Sequence, residues 1–230
     1  IILMMPCFVM LFGICCLAGC EGSRHHLKKV RLNEVAHSIF YAPQYVAIEK
    51  GYFEKEGIKL ELTTGFGADK TATAVISGDA DIAFMGPEAT IYQFNQGNAD
   101  YLINFAQLTQ RAGNFVVSRE REDSFKWEDL KGKKVIGGRP GGMPEMVFEY
   151  VLKKHGMNPQ KDINLVQNID FANTSGAFVS GEADYTVEFE PAATLIEEQG
   201  AGYVVASVGK ESGYVPYTAY SVKKSYLETH

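Results

Sequence analysis

The sequence contains little cysteine, and none of it follows residue 20. The four cysteines lie at positions 7, 15, 16 and 20 of the 230-residue chain. The rest of the chain can therefore form neither an internal disulfide framework nor a cysteine-based metal site. The five histidines are scattered without any i,i+4 pair, which also disfavours a histidine-rich metal site. We expect the protein to hold no metal and to need no cofactor.

The first twenty residues contain no charged side chain, and the rest of the sequence has no excess of basic residues. All 22 Lys and Arg residues and all 28 Asp and Glu residues follow residue 20, and the formal net charge is −6. The two signs are interspersed, as on solvated surfaces, so they create no basic footprint for nucleic acid. We therefore expect no nucleic-acid partner.

The first twenty residues form one uncharged apolar run that closes on Leu17-Ala18-Gly19-Cys20. Such a run is typical of a membrane-directed segment. Small residues ahead of a cysteine resemble the lipobox of bacterial lipoproteins. The resemblance implies a signal peptide at 1–20, lipid on the Cys20 sulfur and a short tether at 21–28. It places the mature protein on the outer face of the bacterial cytoplasmic membrane. An uncleaved membrane anchor is the alternative.

Beyond residue 28, short β-rich runs alternate with runs of helical periodicity. The β-rich runs predict strands at 30–36, 58–64, 81–85, 100–108, 133–138, 163–169, 184–189, 202–208 and 216–222. The segment 114–138 contains one further strand run ahead of its charged loop and is the best candidate for a crossing between lobes. Helices between them are expected to begin near 42, 68, 87, 143, 171 and 191, with one more at Ser225. This alternation predicts an α/β protein with parallel-rich sheets and helices on both faces.

One phrase occurs twice in the chain, as SGDADIAFMGPEAT at 77–90 and as SGEADYTVEFEPAAT at 180–194. The alignment pairs Gly78 with Gly181, Asp81 with Asp184, Pro87 with Pro191 and Gly97 with Gly200. Each glycine is expected to end a helix, and each proline to open the next helix at the carboxyl end of a strand. Ligands of open α/β sheets bind at that edge. The repeat therefore predicts two lobes that face each other across a cleft; a chance echo between two glycine-stopped helices is the alternative.

Four segments in this order carry a family resemblance: HSIFYAPQYVAIEKGYFEKEGIKLEL, ISGDADIAF, DLKGKKV and SGEADYTVEFEP. Together they resemble the extracytoplasmic solute-binding proteins of ABC transporters, in the nitrate/sulfonate/taurine and thiamine-pyrimidine (SsuA/THI5-like, NMT1) family. The resemblance implies the periplasmic binding protein type 2 fold, in which hinge strands join two Rossmann-like α/β lobes. It puts lobe one at 29–115 plus 212–230 and lobe two at 116–211. It also implies that the C-terminal part of lobe one is truncated here.

The residues at the carboxyl ends of the predicted strands, together with the resemblance, indicate which residues contact the ligand. These are His37, Phe40, Tyr41, Gly67, Met85, Gly86, Gln107, Gly141, Gly142, Met143, Glu188 and Glu190. The aromatic rings could stack on a flat ligand, although capping of the core is an equal alternative for Phe40 and Tyr41. The glycines would let a ligand approach the backbone.

Glu190 takes the place of Gly86 in the repeat, and it is the residue that discriminates between ligand classes. A carboxylate at a cleft corner repels an anion and accepts hydrogen bonds from an amino group. This favours an amino-bearing heterocycle, such as a thiamine pyrimidine precursor, over sulfonate, taurine or nitrate. Glu188 is the alternative candidate for the carboxylate that contacts the ligand. Glu190 could instead cap its own helix.

These features predict a monomeric binding protein that passes a small solute to the ABC permease of an importer, with no catalysis. An enzyme on the same fold is the alternative, but the pyrimidine-making relatives use a cysteine-rich motif that this chain lacks beyond residue 20. The glycine-rich segment 137–144 also lacks the Gly-Lys-Ser/Thr ending of a P-loop, which disfavours nucleotide hydrolysis.

Overall fold

Two five-stranded sheets organise residues 26–230, which are the residues that the computed structural model describes. The predicted signal peptide, Cys20 and most of the predicted tether lie outside these residues. None of the helices within 26–230 combines the length and the apolar character that crossing a membrane requires.

The strands agree closely with the β-rich runs of the sequence. They are β1 (Lys28–Glu34), β2 (Ile58–Thr64), β3 (Ile82–Met85), β4 (Leu102–Thr109), β5 (Asn114–Ser118), β6 (Lys134–Ile136), β7 (Asn164–Val166), β8 (Tyr185–Phe189), β9 (Tyr203–Ser207) and β10 (Thr218–Lys223).

The helices fill the intervals between these strands. They are α1 (Ala42–Glu49), α2 (Tyr52–Lys55), α3 (Ala68–Ser77), α4 (Glu88–Asn95), α5 (Met143–Lys154), α6 (Thr174–Val179), α7 (Ala192–Glu198), α8 (Val208–Ser212) and α9 (Lys224–Thr229). Three single 3-10 turns add Ile39–Tyr41, Trp127–Leu130 and Phe171–Asn173.

The two sheets have matching strand orders. The first sheet runs β2-β1-β3-β10-β4 and the second runs β7-β6-β8-β5-β9. In each sheet the first three strands are parallel, and the fourth strand is antiparallel to both of its neighbours. The predicted two-lobed α/β class is confirmed, with one correction to the parallel-rich expectation: β10 and β5 insert antiparallel strands next to β3 and β8.

The repeated phrase builds the same unit in both sheets, namely α3-β3-α4 in the first and α6-β8-α7 in the second. The paired aspartates make the same contacts. Asp81 accepts the backbone N–H of Arg31 at 2.8 Å, and Asp184 accepts that of Lys134 at 2.8 Å, so each aspartate ties the start of its strand to the neighbouring parallel strand. The helix-ending glycines Gly78 and Gly181 have φ values of 89° and 100°, which disfavour a side chain.

Two short helices were not predicted. The predicted helix stop at Gly51 is confirmed, because α1 ends just before Gly51, which adopts a φ of 64°, but a separate short helix, α2, follows directly. The short helix α8 was not predicted, since it has too few residues for a periodic pattern. Ser207 caps the N-terminus of α8, since its hydroxyl accepts a hydrogen bond from the backbone N–H of Lys210 at 3.2 Å.

The chain crosses between the two sheets at 110–113 and again at 213–217, and these crossing segments lie side by side. The backbone N–H of Val215 donates to the Gln110 carbonyl at 3.1 Å, and that of Tyr217 donates to the Thr109 carbonyl at 3.0 Å. The Arg111 guanidinium lies over the Tyr214 ring, 4.2 Å from its centroid. The crossings therefore brace one another at the junction of the two sheets.

Candidate functional site

A cavity of about 650 Å³ lies between the two sheets and is lined by residues from both. Its walls come from the carboxyl ends of the parallel strands and from the starts of α3, α4, α5 and α6. This is the edge at which open α/β sheets bind ligands, and the volume falls within the ordinary range for small-molecule sites.

Seven of the twelve residues nominated from the sequence line this cavity: Phe40, Tyr41, Gly67, Gly86, Gly141, Gly142 and Met143. The other five do not: His37, Met85, Gln107, Glu188 and Glu190. The lining residues come from both repeat units and from the loop before α5, so the structure brings together residues about a hundred positions apart.

Three of the remaining residues lie away from the cavity for clear reasons. The His37 side chain is 69% exposed, and its Nδ1 lies 2.9 Å from a carboxylate oxygen of the buried Glu34, with its ring against Tyr45. Met85 is fully buried in the core of the first sheet. Gln107 lies on the exposed part of β4, where its side-chain amide donates to the backbone carbonyl two residues later.

The two glutamates from the second repeat face different surroundings. Glu190 accepts the backbone N–H of Thr194 at 3.1 Å in the first turn of α7, which is the helix-capping arrangement. Glu188 is buried behind the cavity wall and accepts the hydroxyls of Thr186 at 2.7 Å and Thr174 at 3.1 Å. Burial raises the pKa of Glu188 to about 7.

An aromatic cluster forms one wall of the cavity and spans both sheets. The Phe40 ring lies 5.4 Å from Phe189 and 5.7 Å from Tyr217, measured between centroids. Phe171 packs edge-on against Phe189 at 5.4 Å. Gly113 makes room for this cluster, because a Cβ there would lie 2.3 Å from the Phe40 ring. The wall offers flat apolar faces on which a planar ligand can stack.

Glu88, in the first turn of α4, is a buried charged residue of the lining that sequence reasoning missed, as it missed Phe171, Phe189 and Tyr217. It is 4% exposed, and its Oε1 accepts the backbone N–H of Met143 in α5 at 3.1 Å. Its Oε2 is buried without a hydrogen-bond partner among the residues described. Burial raises the pKa of Glu88 to about 7. In the sequence Glu88 reads as an ordinary acidic residue at a helix start, where it is favoured by the helix dipole.

The position of the Glu88 carboxylate requires a glycine at residue 86. A Cβ on Gly86 would lie 2.1 Å from Glu88 Oε2 and 2.6 Å from Oε1, so only glycine leaves room for the carboxylate in this position. The corner therefore presents a carboxylate to the cavity instead of bare backbone.

Further contacts join α4 and α3 to the loop before α5. The Tyr92 hydroxyl donates to the Gly141 carbonyl at 3.0 Å. The Arg139 guanidinium lies 3.8 Å from the Asp69 carboxylate, a partly exposed and therefore weak ion pair. Together with Glu88 and Met143, these residues close one end of the cavity across the two sheets.

Within residues 26–230, no group of three or more His, Cys, Asp or Glu side chains is placed to hold a metal ion. The polar groups that line the cavity are carboxylates, two cations (Lys70 and Arg139), hydroxyls of serine, threonine and tyrosine, side-chain amides and loop backbone.

Sequence comparisons match the chain to proteins that are named as binding proteins. The chain is 52% identical over 222 residues to YtlA of Bacillus subtilis (strain 168), which is a binding protein by name; the match covers 96% of this chain and 66% of YtlA. It is 29% identical over 160 residues to BAB2_1146 of Brucella abortus (strain 2308), also a binding protein by name, covering 69% and 47% of the two chains. The chain thus spans between about half and two thirds of the length of these relatives.

Structural comparisons give the same fold. The aliphatic sulphonate binding protein SsuA of Escherichia coli superposes with a TM-score of 0.67 at 19% identity, over 88% of this chain and 67% of SsuA. The nitrate-binding protein NrtA of Synechocystis PCC 6803 superposes with a TM-score of 0.67 at 19% identity, over 88% and 57%. A sequence model of the family described as NMT1/THI5 like matches residues 39–227. The chain therefore belongs to the NMT1/THI5-like family and shares the two-lobed α/β fold of periplasmic binding proteins.

Proposed function

We propose that the protein is the solute-binding component of an ABC importer and captures one small solute between its two sheets. The observation that carries this proposal is the cavity itself, which is walled by aromatic side chains from both sheets at their carboxyl edges. The names of YtlA, SsuA and NrtA support a binding role. In this role the two sheets act as lobes that move about the crossing segments 110–113 and 213–217.

The favoured ligand is a flat, amino-bearing heterocycle, such as a thiamine pyrimidine precursor. Planar rings fit the apolar wall of Phe40, Phe189 and Tyr217, and carboxylates at the lining can accept hydrogen bonds from amino groups. A sulfonate, taurine or nitrate ligand is the second candidate, which is favoured by Lys70 and Arg139 at the cavity and by the ligands named for SsuA and NrtA.

A screen of ligands by thermal shift tests this proposal, with Phe40→Ala as the companion variant. A ligand at about 100 times its Kd stabilises the folded state by roughly 2.7 kcal/mol, which raises the Tm by several degrees. We expect such a shift with an aminopyrimidine, and we expect Phe40→Ala to weaken that binding at least about tenfold, since the ring stacking is lost. A panel of pyrimidines, alkanesulfonates, taurine and nitrate that shifts nothing would count against a solute-binding role.

We also propose that the mature protein is a monomer held on the outer face of the cytoplasmic membrane by lipid on Cys20, where it meets its permease. The apolar run before Cys20 and the small residues at 18 and 19 support this.

Cys20→Ser is expected to release the protein from the membrane, because serine offers no thiol for lipid attachment. Fractionation of cells that express each form, with mass spectrometry of the N-terminal peptide, provides the measurement. Retention of the serine variant in the membrane fraction, with no acyl mass on the unchanged protein, would favour an uncleaved anchor.

A further inference from the structure

The start of α5 is already occupied by carboxylates of the protein. Glu88 accepts the N–H of Met143 at 3.1 Å, and Glu145 accepts the N–H of Gly141 at 3.2 Å. Free N–H groups at a helix start would attract an anionic ligand. Here the Met143 N–H of the helix and the Gly141 N–H of the preceding loop already have carboxylate acceptors, so an anion that enters the cavity meets repulsion at this position when these carboxylates are ionised.

Glu88 reaches this place from the other sheet. It lies on α4, which follows β3 of the first sheet, whereas Met143 opens the helix that follows β6 of the second sheet. The hydrogen bond therefore uses one carboxylate oxygen to bridge the two sides of the cavity. The second oxygen, Oε2, has no partner within the described part of the chain, although the residue is 4% exposed and lines the cavity.

Lys70 and Arg139 line the same cavity as Glu88, but the ion pair of Arg139 is with Asp69. Burial raises the pKa of the Tyr41, Tyr92 and Tyr217 hydroxyls, and the nearby Glu88 carboxylate raises each of these pKa values further. The hydroxyl of Tyr217 is itself buried without a partner among residues 26–230. No Lys, Arg or His within these residues forms an ion pair with Glu88. An unpartnered acceptor in a buried cavity costs free energy until a donor reaches it.

We propose that Glu88 is the residue that determines the ligand class of this cavity. Its carboxylate keeps the Met143 N–H from an anionic ligand, and its free Oε2 accepts a hydrogen bond from an amino or amidinium group of the ligand. The Tyr217 hydroxyl offers a neighbouring polar contact. This inference rests on the proposed solute-binding function and narrows the ligand to one that carries N–H donors.

The experiment compares two substitutions of Glu88 with a matched control. Glu88→Ala frees the Met143 N–H and removes the charge. Glu88→Gln keeps an acceptor oxygen and the side-chain shape but removes the negative charge. Glu190→Ala is the control, because that carboxylate occupies the corresponding corner of the other repeat but lies outside the cavity lining. Each purified protein is titrated by calorimetry with 4-aminopyrimidine and with ethanesulfonate.

We expect Glu88→Ala to bind ethanesulfonate at least about tenfold more tightly than the unchanged protein does, because an N–H site opens and a repelling charge is lost. We expect Glu88→Gln to bind the aminopyrimidine at least about tenfold more weakly. The Glu190→Ala control is expected to match the unchanged protein with both probes. Should Glu88→Ala fail to fold, Glu88→Gln still tests the aminopyrimidine arm.

The outcomes separate this inference from the proposed function. If the unchanged protein binds ethanesulfonate as tightly as Glu88→Ala does, the role of Glu88 is overturned while solute binding stands. If the unchanged protein binds neither probe but Glu88→Ala gains ethanesulfonate binding, the role of Glu88 is supported. If no form binds either probe, the inference fails together with the ligand class proposed for the site.

Discussion

Gly209→Ala is expected to destabilise the protein by about 3 kcal/mol, the upper part of the usual range for overpacking a buried site. A Cβ on Gly209 would lie 2.0 Å from the backbone carbonyl oxygen of Ala112 and 3.0 Å from its carbon. Both partners are backbone, so no side chain can turn aside to relieve the clash. Ala112 lies in the crossing segment 110–113, so α8 and the junction of the two sheets must move apart. Urea denaturation followed by circular dichroism gives the change in free energy of unfolding.

Gly176→Ala is the matched control for this prediction. Gly176 also lies inside a short helix, α6, but it is exposed, and its Cβ would meet no atom of the described chain within 4 Å. Alanine there is expected to stabilise the protein by about 0.5–1 kcal/mol, through the lower backbone entropy of its unfolded state. Equal effects at both positions would mean that helix propensity decides the outcome and that the contact with Ala112 does not.

The unliganded protein is expected to be less stable at pH 8 than at pH 5, with Glu188 contributing up to about 3 kcal/mol of the difference. Burial raises the pKa of Glu188 to about 7, above the ordinary value of 4.5. A raised carboxyl pKa means that the folded state binds the proton more tightly than the unfolded chain does. The stabilisation is therefore complete below the unfolded pKa and is lost as the pH rises through about 7. Burial raises the pKa of Glu88 to about 7 and acts in the same direction.

The substitution Glu188→Gln isolates the contribution of Glu188 to the pH dependence of stability. Glutamine stays neutral, and its amide can still meet the hydroxyls of Thr174 and Thr186. The variant is expected to reduce the slope of the stability profile between pH 5 and pH 8, because the contribution of Glu188 is removed while that of Glu88 remains. Denaturation midpoints measured at four pH values across this window provide the comparison. A wild-type stability that rises toward pH 8 would contradict the raised pKa of the buried Glu188 carboxyl.

The sequence by itself determined the local elements and their repetition. Strict alternation at 58–64 gives β2 with the predicted bounds, and Gly78 ends α3 as predicted. The repeated phrase predicted two equivalent units, and both are present with the same aspartate contacts. The bounds of the strands and helices depend on interactions within a few residues of the chain, so short-range patterns contain them. The aspartate contacts join residues 50 positions apart, and the sequence showed them only as a repeated phrase.

The tertiary structure decided how the strands were ordered and which carboxylate reached the cavity. Nothing local in 216–222 shows that β10 inserts between β3 and β4, because pairing depends on where the crossing segments return the chain. The repeat directed attention to Glu190, which caps its own helix, while Glu88 lines the cavity and contacts Met143. The burial, partners and pKa of a carboxylate depend on groups brought from the other sheet, 55 residues away along the chain. Sequence patterns therefore located the cleft. Only the packing of the two sheets determined that Glu88 lines it.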